Sequence, residues 1–388
     1  MLRAVLEEHG KNSDGASEVH SVSFAKGIVP QVEHMGRSYA ASDTAHYSLV
    51  QPYDVVYTRS PLSAFPLGIV KQHKGFNNAI VSPLYGVFQP RNRYIGKIIE
   101  AYFDSSSRSI TFLDPLAQKG AKNTIQLSNN RFLSGALYLP EDEEEQQKIA
   151  DCLGSLDDLI VAEGRKLEAL RQHKQALMQK LFPQEGETVP RLRFPEFKEA
   201  PDWKEERLGN IVTIVSGKSP SQYALFSQGN CAFVKVEDLN NCFKYQTDAR
   251  EYCDDTRDAV PSGSILFPKR GAAIENNKIR ITASEILIDT NLMALRPHDT
   301  AETEFIFYYI VCVGLAQIAD TSSIPQINNK HIVSYRVLIP TDKLEQKRIG
   351  DCLSVLDDRI GIQARKLDTL KQHKQGLLQQ LFPSLAGQ

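Results

Sequence analysis

The chain is poor in the features that usually announce a chemistry. Its 388 residues hold one tryptophan, four methionines and six cysteines. No two cysteines have CxxC spacing, and no histidine lies at a zinc-finger distance from one, so a structural metal site is not expected. Cys231, Cys242 and Cys253 recur every eleven residues but have no fourth ligand nearby, and they read as small buried hydrophobes. No stretch of eighteen apolar residues occurs, which excludes a membrane-spanning helix. Residues 1–15 carry Glu7, Glu8 and Asp14 without a long apolar run, so they do not read as a secretory leader. The thiols are therefore expected to be reduced, in a cytoplasmic protein. There is no GxxxxGK[ST] loop, no GxGxxG after a strand, no GxSxG and no HExxH. The short aromatic-proline signature of an amino-methyltransferase is missing too. The formal charge is −2, which taken alone argues mildly against a nucleic-acid partner.

What the chain does have is a repeat. Residues 141–183 and 341–383 align at an offset of 200 without a gap, and 24 of the 43 positions are identical. Upstream the match weakens to Gln126, Asn129, Ser134 and Pro140 against Gln326, Asn329, Ser334 and Pro340. Earlier still, only the order of elements survives. A strand ending at Pro90 precedes a helix containing Ile95, Ile98, Ile99 and Tyr102, and a strand ending at Pro297 precedes a helical run from Glu304 to about Ile318. Leu2–Leu6 is the counterpart of Leu208–Val212. The chain is thus a tandem duplication, each half a divergent globular region followed by a closely repeated helix.

The repeated segment carries a heptad track. Its apolar positions are Ile149, Leu153, Leu156, Ile160, Leu167, Leu170, Leu177 and Leu181, and in the second copy Ile349, Leu353, Leu356, Ile360, Leu367, Leu370, Leu377 and Leu381. The two remaining slots hold Glu163 and Lys174, or Gln363 and Lys374. A track this long makes a coiled-coil seam that needs a partner helix, and each copy is the natural partner of the other. Asp142 with Glu145, and Asp342 with Glu345, have capping-box spacing, while Pro183 and Pro383 stop the helices. Such helices are rods of about 60 Å. The resulting fold is α+β: two globular domains in tandem repeat, separated by a long antiparallel two-helix coiled coil with pseudo-two-fold symmetry. The expected boundaries are a first domain at 1–140, a helix at 141–183 and a Pro-rich linker at 184–207. A second domain at 208–340, a helix at 341–383 and a tail at 384–388 complete the plan.

Charge is spread unevenly over this plan: +4 for residues 1–140, −4 for 141–183, −4 for 184–340 and +2 for 341–388. The first region has Arg59, Lys71, Lys74, Arg91 and Arg93; the second has Lys269-Arg270 and Lys278-Ile279-Arg280 beside Asn276-Asn277. These are residue types that neutralise phosphates and reach base edges. The carboxylates of Glu251, Asp254, Asp255 and Asp258 surround Arg257 and read as a solvated acidic turn.

The architecture resembles the specificity (S) subunit of type I restriction–modification systems. The motifs that carry the likeness are EQQKIADCLGSLDDLI (145–160) and EQKRIGDCLSVLDDRI (345–360), with their RKLEALRQHKQALMQKLFP and RKLDTLKQHKQGLLQQLFP continuations. PRLRFPEF followed by Trp203 and Leu208-Gly209 belongs with them, as do Ser216-Gly217-Lys218-Ser219-Pro220 and Ser323-Ile324-Pro325-Gln326-Ile327-Asn328. The PRLRFPEF-type lead precedes the second globular region only. The resemblance implies two target-recognition domains, each reading half of a bipartite site on double-stranded DNA, with the paired helices as a ruler for the unread spacer. It implies two methyltransferase subunits as partners, which bind S-adenosylmethionine and methylate adenine, and motor-nuclease subunits that can join them. This chain itself would hold no cofactor, no metal and no catalytic residue, and would not touch a membrane. Candidate DNA contacts are Arg59, Lys71, Lys74, Asn77 and Gln126 in the first domain. In the second they are Lys218, Ser219, Gln222, Lys269, Arg270 and Gln326. The main competing reading is a coiled-coil adaptor that joins protein modules without reading DNA, and a second is an enzyme, a nuclease with a scattered acidic site.

Overall fold

The computed structural model describes residues 1–40, 43–119, 125–184, 186–320 and 324–382, and of Lys119, Ile125 and Gln126 the backbone alone. Pro383, the 384–388 tail and Ser323 lie outside the described residues. The chain divides into two compact units, one built from residues 1–162 with the C-terminal part from Leu367, the other from Glu163–Lys366. Each therefore contains one globular region and a stretch of both repeated helices.

In the first unit an antiparallel sheet runs in the order Leu6–Glu8, Gly86–Pro90, Val55–Tyr57, Val70–Gln72. One face is covered by helix α1 (Arg93–Phe103), which starts where the Asn92 side chain accepts the Ile95 N–H at 2.9 Å. Ile95 and Ile99 of α1 join Tyr57, Phe88 and Phe132 in the main core. Ile98 turns instead to the repeated helices, α2 (Glu143–Leu181) and the last helix, where it packs with Leu153, Leu378 and Phe382.

The second unit repeats this frame with additions. Its sheet runs Val212–Ser216, Leu292–Pro297, Ile265–Pro268, Arg280–Thr282, Tyr245–Gln246, antiparallel except for the last pair. A three-stranded layer of Glu251–Cys253, Cys231–Val234 and Ile286–Ile288 stands beside it. Helix α3 (Thr303–Val313) takes the place of α1. The expected run to Ile318 is broken at Gly314, whose φ of +87° belongs to the region that glycine tolerates. The segment Leu2–Ala4 and its counterpart Leu208–Ile211 are each a single helical turn before the first sheet strand.

The linker departs from expectation. Lys204–Arg207 pairs antiparallel with Arg336–Ile339, and Trp203 is buried against Phe182 and Phe305. The Arg193 guanidinium clasps Glu345 with two 2.7 Å bonds, and Trp203 Nε1 donates to the same carboxylate at 3.2 Å. Glu345 is thus spent on this clasp and does not close the expected capping box. Glu145, the same position in the first copy, is exposed, and Asp142 alone caps that helix by accepting the Glu145 N–H at 2.9 Å. Residues 136–139, which match Arg336–Ile339, form no strand.

Helix α4 (Lys343–Leu381) runs antiparallel to α2 within each unit. In the second unit Gln363 meets Glu163, Lys174 meets Asp357 at 2.5 Å, and Leu181 shares a core with Ile349 and Leu353. In the first unit Asp157 meets Lys374 at 2.7 Å and Leu153 meets Leu378. The Lys–Asp pair therefore occurs twice, at the same repeat positions. Most seam residues are buried, while Ile149, Ile160, Leu170, Leu177, Leu370 and Leu377 are half-buried. Met178 and Leu378 are buried in addition, because a helix of 3.6 residues per turn drifts away from a strict heptad and rotates the next residue inward. Leu381 departs from the seam assignment: it is 37% exposed, whereas Leu181 is 1% exposed in a core that also contains Trp203.

Candidate nucleic-acid interface

In the second unit the loops at one edge of the sheet are stitched together by main-chain bonds. Gly217 N–H donates to Leu292 O at 3.2 Å, Lys218 N–H to Ile288 O at 3.0 Å, and Lys269 N–H to Asn291 O at 2.8 Å. Ile327 N–H donates to Lys269 O at 2.9 Å, and Gly271 N–H to Pro325 O at 3.0 Å. Arg270 and Gln326 face each other as a β-bridge. The close approach at Gly217 demands glycine, since a Cβ there would collide with the Asp289 carbonyl. Residues about 50 and 100 positions apart thus converge, and all six second-domain candidates lie along one edge.

Their side chains differ in freedom. Lys218 is exposed but pairs with Asp258 at 2.6 Å, and the bond from Lys218 holds the Asp258 carboxyl below its ordinary range. Ser219 is half-buried and caps the turn, accepting the Ser221 N–H at 3.4 Å. Gln222 is exposed and Gln326 half-exposed. Burial, and then the Arg270 charge, push the Lys269 ammonium down. Arg270 is exposed and makes no ion pair among the described residues. The acidic turn read as solvated surface therefore has a specific role for Asp258, which sequence could not link to Lys218 forty positions away.

The first unit corrects several of its candidates. Arg59 follows Val55–Tyr57 as Lys269-Arg270 follow Ile265–Pro268, but its guanidinium is turned into the fold. It donates from Nε to Leu127 O at 2.7 Å and bonds Leu84 O and Asn129 Oδ1 through its other nitrogens. Asn129 is held in turn by Glu8 Oε1 at 2.6 Å. Arg59 is a brace between loops, and most of its donors are spent. Lys71 is 5% exposed, because its strand is buried under α1, and it is matched by Asp104 at 2.6 Å. A buried ammonium survives only with such a partner. Lys74 is exposed and 3.3 Å from Glu100; Asn77 is exposed, with its carbonyl 2.8 Å from His73 Nε2. Since Val55 pairs with Gln72 and Tyr57 with Val70, residues 73–78 lie at the end of the sheet opposite Arg59. The first-domain candidates are thereby split between two ends. Gln126 pairs through its backbone with Gln118, and its side chain lies outside the described residues.

A second set of charges ties each globular region to the helices. Lys374 reaches Asp157 at 2.7 Å and Asp104 at 3.0 Å, and Lys97 joins Asp157. Burial would pull Lys374 down, but the two carboxylates outweigh it and raise the ammonium above its ordinary value. In the second unit Tyr308 donates to Asp357 at 2.6 Å and Lys244 donates to Ser354 at 2.7 Å. Burial, with Asp357 beside it, drives the Tyr308 hydroxyl strongly upward. Among the described residues no group of three or more His, Cys, Asp or Glu side chains could hold a metal, and no helix is long and apolar enough to cross a membrane.

This frame, built twice with divergent loops on a repeated helix, is also the frame of solved specificity subunits of type I restriction–modification systems. Residues 201–372 match the family model of the type I restriction modification DNA specificity domain. The type I restriction enzyme MjaX specificity subunit of Methanocaldococcus jannaschii is 24% identical over 278 residues, covering 68% of this chain and 62% of that protein. The HindI specificity subunit of Haemophilus influenzae is 26% identical over 197 residues, 47% of this chain and 41% of that one. The chain thus spans about six-tenths or less of the length of these curated relatives. The S subunit of M. genitalium shares its fold, with a TM-score of 0.63 at 14% identity over 99% of this chain and 96% of the other. A chain from the type I R-M complex-assembly structure gives 0.52 at 19% identity, covering 97% and 95%. The segment 201–372 is thus similar to a type I restriction modification DNA specificity domain, and the fold of the chain is shared with solved S subunits.

Proposed function

We propose that this chain reads a bipartite site on double-stranded DNA, one half-site per globular region, on behalf of a type I adenine methyltransferase. Two methyltransferase subunits dock on the helices and adjoining segments, supply S-adenosylmethionine, and leave room for motor-nuclease subunits. The observation that carries this reading is the loop edge of the second unit, which lies inside the family-matched segment. There Lys218, Gln222, Lys269, Arg270 and Gln326 converge on a stitched backbone and leave polar groups facing solvent. In this reading Arg270 and Gln326 address base edges, while Lys218 and Lys269 neutralise phosphates. In the first unit Arg59 shapes the equivalent edge from within.

The near-neutral charge fits a subunit that shares the duplex with its partners. The isolated chain is expected to bind DNA weakly at physiological salt and more tightly once assembled. Tight, salt-insensitive binding by the chain alone would contradict this. The test of the reading is co-expression with the methyltransferase subunit of the same system, followed by mapping of methylated adenines. A two-part motif with a fixed spacer supports it, and absence of methylation or a contiguous motif overturns it.

A further inference from the structure

Of the ten seam positions in each repeated helix, nine carry the same residue in both copies, and the exception is Glu163 against Gln363. These two residues, the same position of the repeat, touch each other. Gln363 Nε2 donates to Glu163 Oε2 at 2.5 Å and to the Glu163 carbonyl at 3.0 Å, and Lys366 pairs with the other carboxylate oxygen. Glu163 is 9% exposed and Gln363 5%. A carboxylate so enclosed needs donors, and glutamine supplies them where a second glutamate would set two like charges at hydrogen-bond distance. Among the ten heptad positions the repeat has therefore diverged only at the one where two glutamates would repel each other.

We propose that Glu163 and Gln363 select the helix partner, making α2 and α4 take each other within one chain over their equivalents in a second copy. Pairing α2 with the α2 of another molecule sets Glu163 against Glu163. Pairing α4 with α4 sets amide against amide and leaves Lys366 without its carboxylate. One polar seam position is enough to choose among helix pairings that apolar positions leave equivalent. The choice matters during synthesis, when α2 is complete and its apolar seam open before α4 exists.

The test uses the full chain with a protease site inserted at the exposed Gly186, cut so that both halves remain present. After denaturation and refolding, native mass spectrometry counts the pairs. The wild-type halves are expected to re-form one-to-one pairs of unlike halves. E163Q is expected to raise dimers of the first half roughly tenfold. In the uncut chain Q363E lowers Tm, and E163Q/Q363E restores it, because Lys166 then stands where Lys366 did for the displaced carboxylate. Statistical re-pairing of the wild-type halves would overturn the proposal. So would a double variant no more stable than Q363E, a result that stays readable even if the cut halves refold poorly.

Discussion

The two units solve one construction problem with different materials. In the second, the lead into the domain is part of the fold: Trp203 is 3% exposed, and Arg193 and Trp203 enclose Glu345. In the first, the matching carboxylate, Glu145, stands in solvent and residues 136–139 pair with nothing described. The arginine that follows the inner strand is likewise a brace in one unit, Arg59, and a solvent-facing side chain in the other, Arg270. Duplication preserved the backbone frame and the helix seam. It left the loops, and the work given to equivalent side chains, free to diverge.

The largest expected effect tests the clasp. Trp203→Ala should destabilise the second unit by about 3–5 kcal/mol, since it empties a ring-filled core site. Glu145→Ala, at the first copy of the clasped position, should stay within about 0.5 kcal/mol of wild type. Differential scanning calorimetry that resolves the two transitions checks both, and equal effects would erase the contrast between units. Next come the two arginines. Arg59→Ala should lower the first transition by roughly 1–3 kcal/mol, because it strips the partner from the carbonyl of the buried Leu127 and unties Asn129. Arg270→Ala should leave melting unchanged yet cost about 1–3 kcal/mol at a single base position of the site. If both behave alike, the distinction between brace and reader is wrong.

Much of this was legible in sequence. The duplication and the seam follow from residue identities at an offset of 200, because helix pairing is written in periodic apolar side chains, and the order strand then helix follows from the pattern of elements alone. The convergence of the second-domain candidates on one loop edge was legible where they sat in recognisable motifs, as with Lys218 and Gln326. It was illegible where a cation's role depends on partners far along the chain. Lys71 and Asp104, or Arg59 with Leu127 and Asn129, are joined by strand register, which no local pattern reports. The role of Glu345 was misread for the same reason, because its partner Arg193 lies 152 positions away.

Acid should affect the junction of the first unit. Burial alone would raise Asp104 and Asp157, but the lysines facing them outweigh it and hold both below the ordinary carboxylate value. Their contribution is therefore complete above the unfolded value near 4 and is lost as pH falls through the lower folded value. Lys374→Met should weaken that acid dependence of the first transition, leaving the share due to Lys71 and Lys97, and should leave the second transition unchanged, as followed by melting between about pH 7 and pH 3. The smallest effect concerns Lys218. Asp258→Asn should free the ammonium for phosphate and steepen the salt dependence of DNA binding by about one ion, with no change in the sequence read.

The central claim is that two globular regions of one chain read two separate half-sites. Mapping methylated adenines in cells that carry the assembled methyltransferase, with wild-type chain and with Arg270→Ala, tests it most directly. The account predicts a two-part motif with a fixed spacer, and relaxation confined to one half in the variant. A contiguous motif, or a variant that alters both halves together, would contradict it.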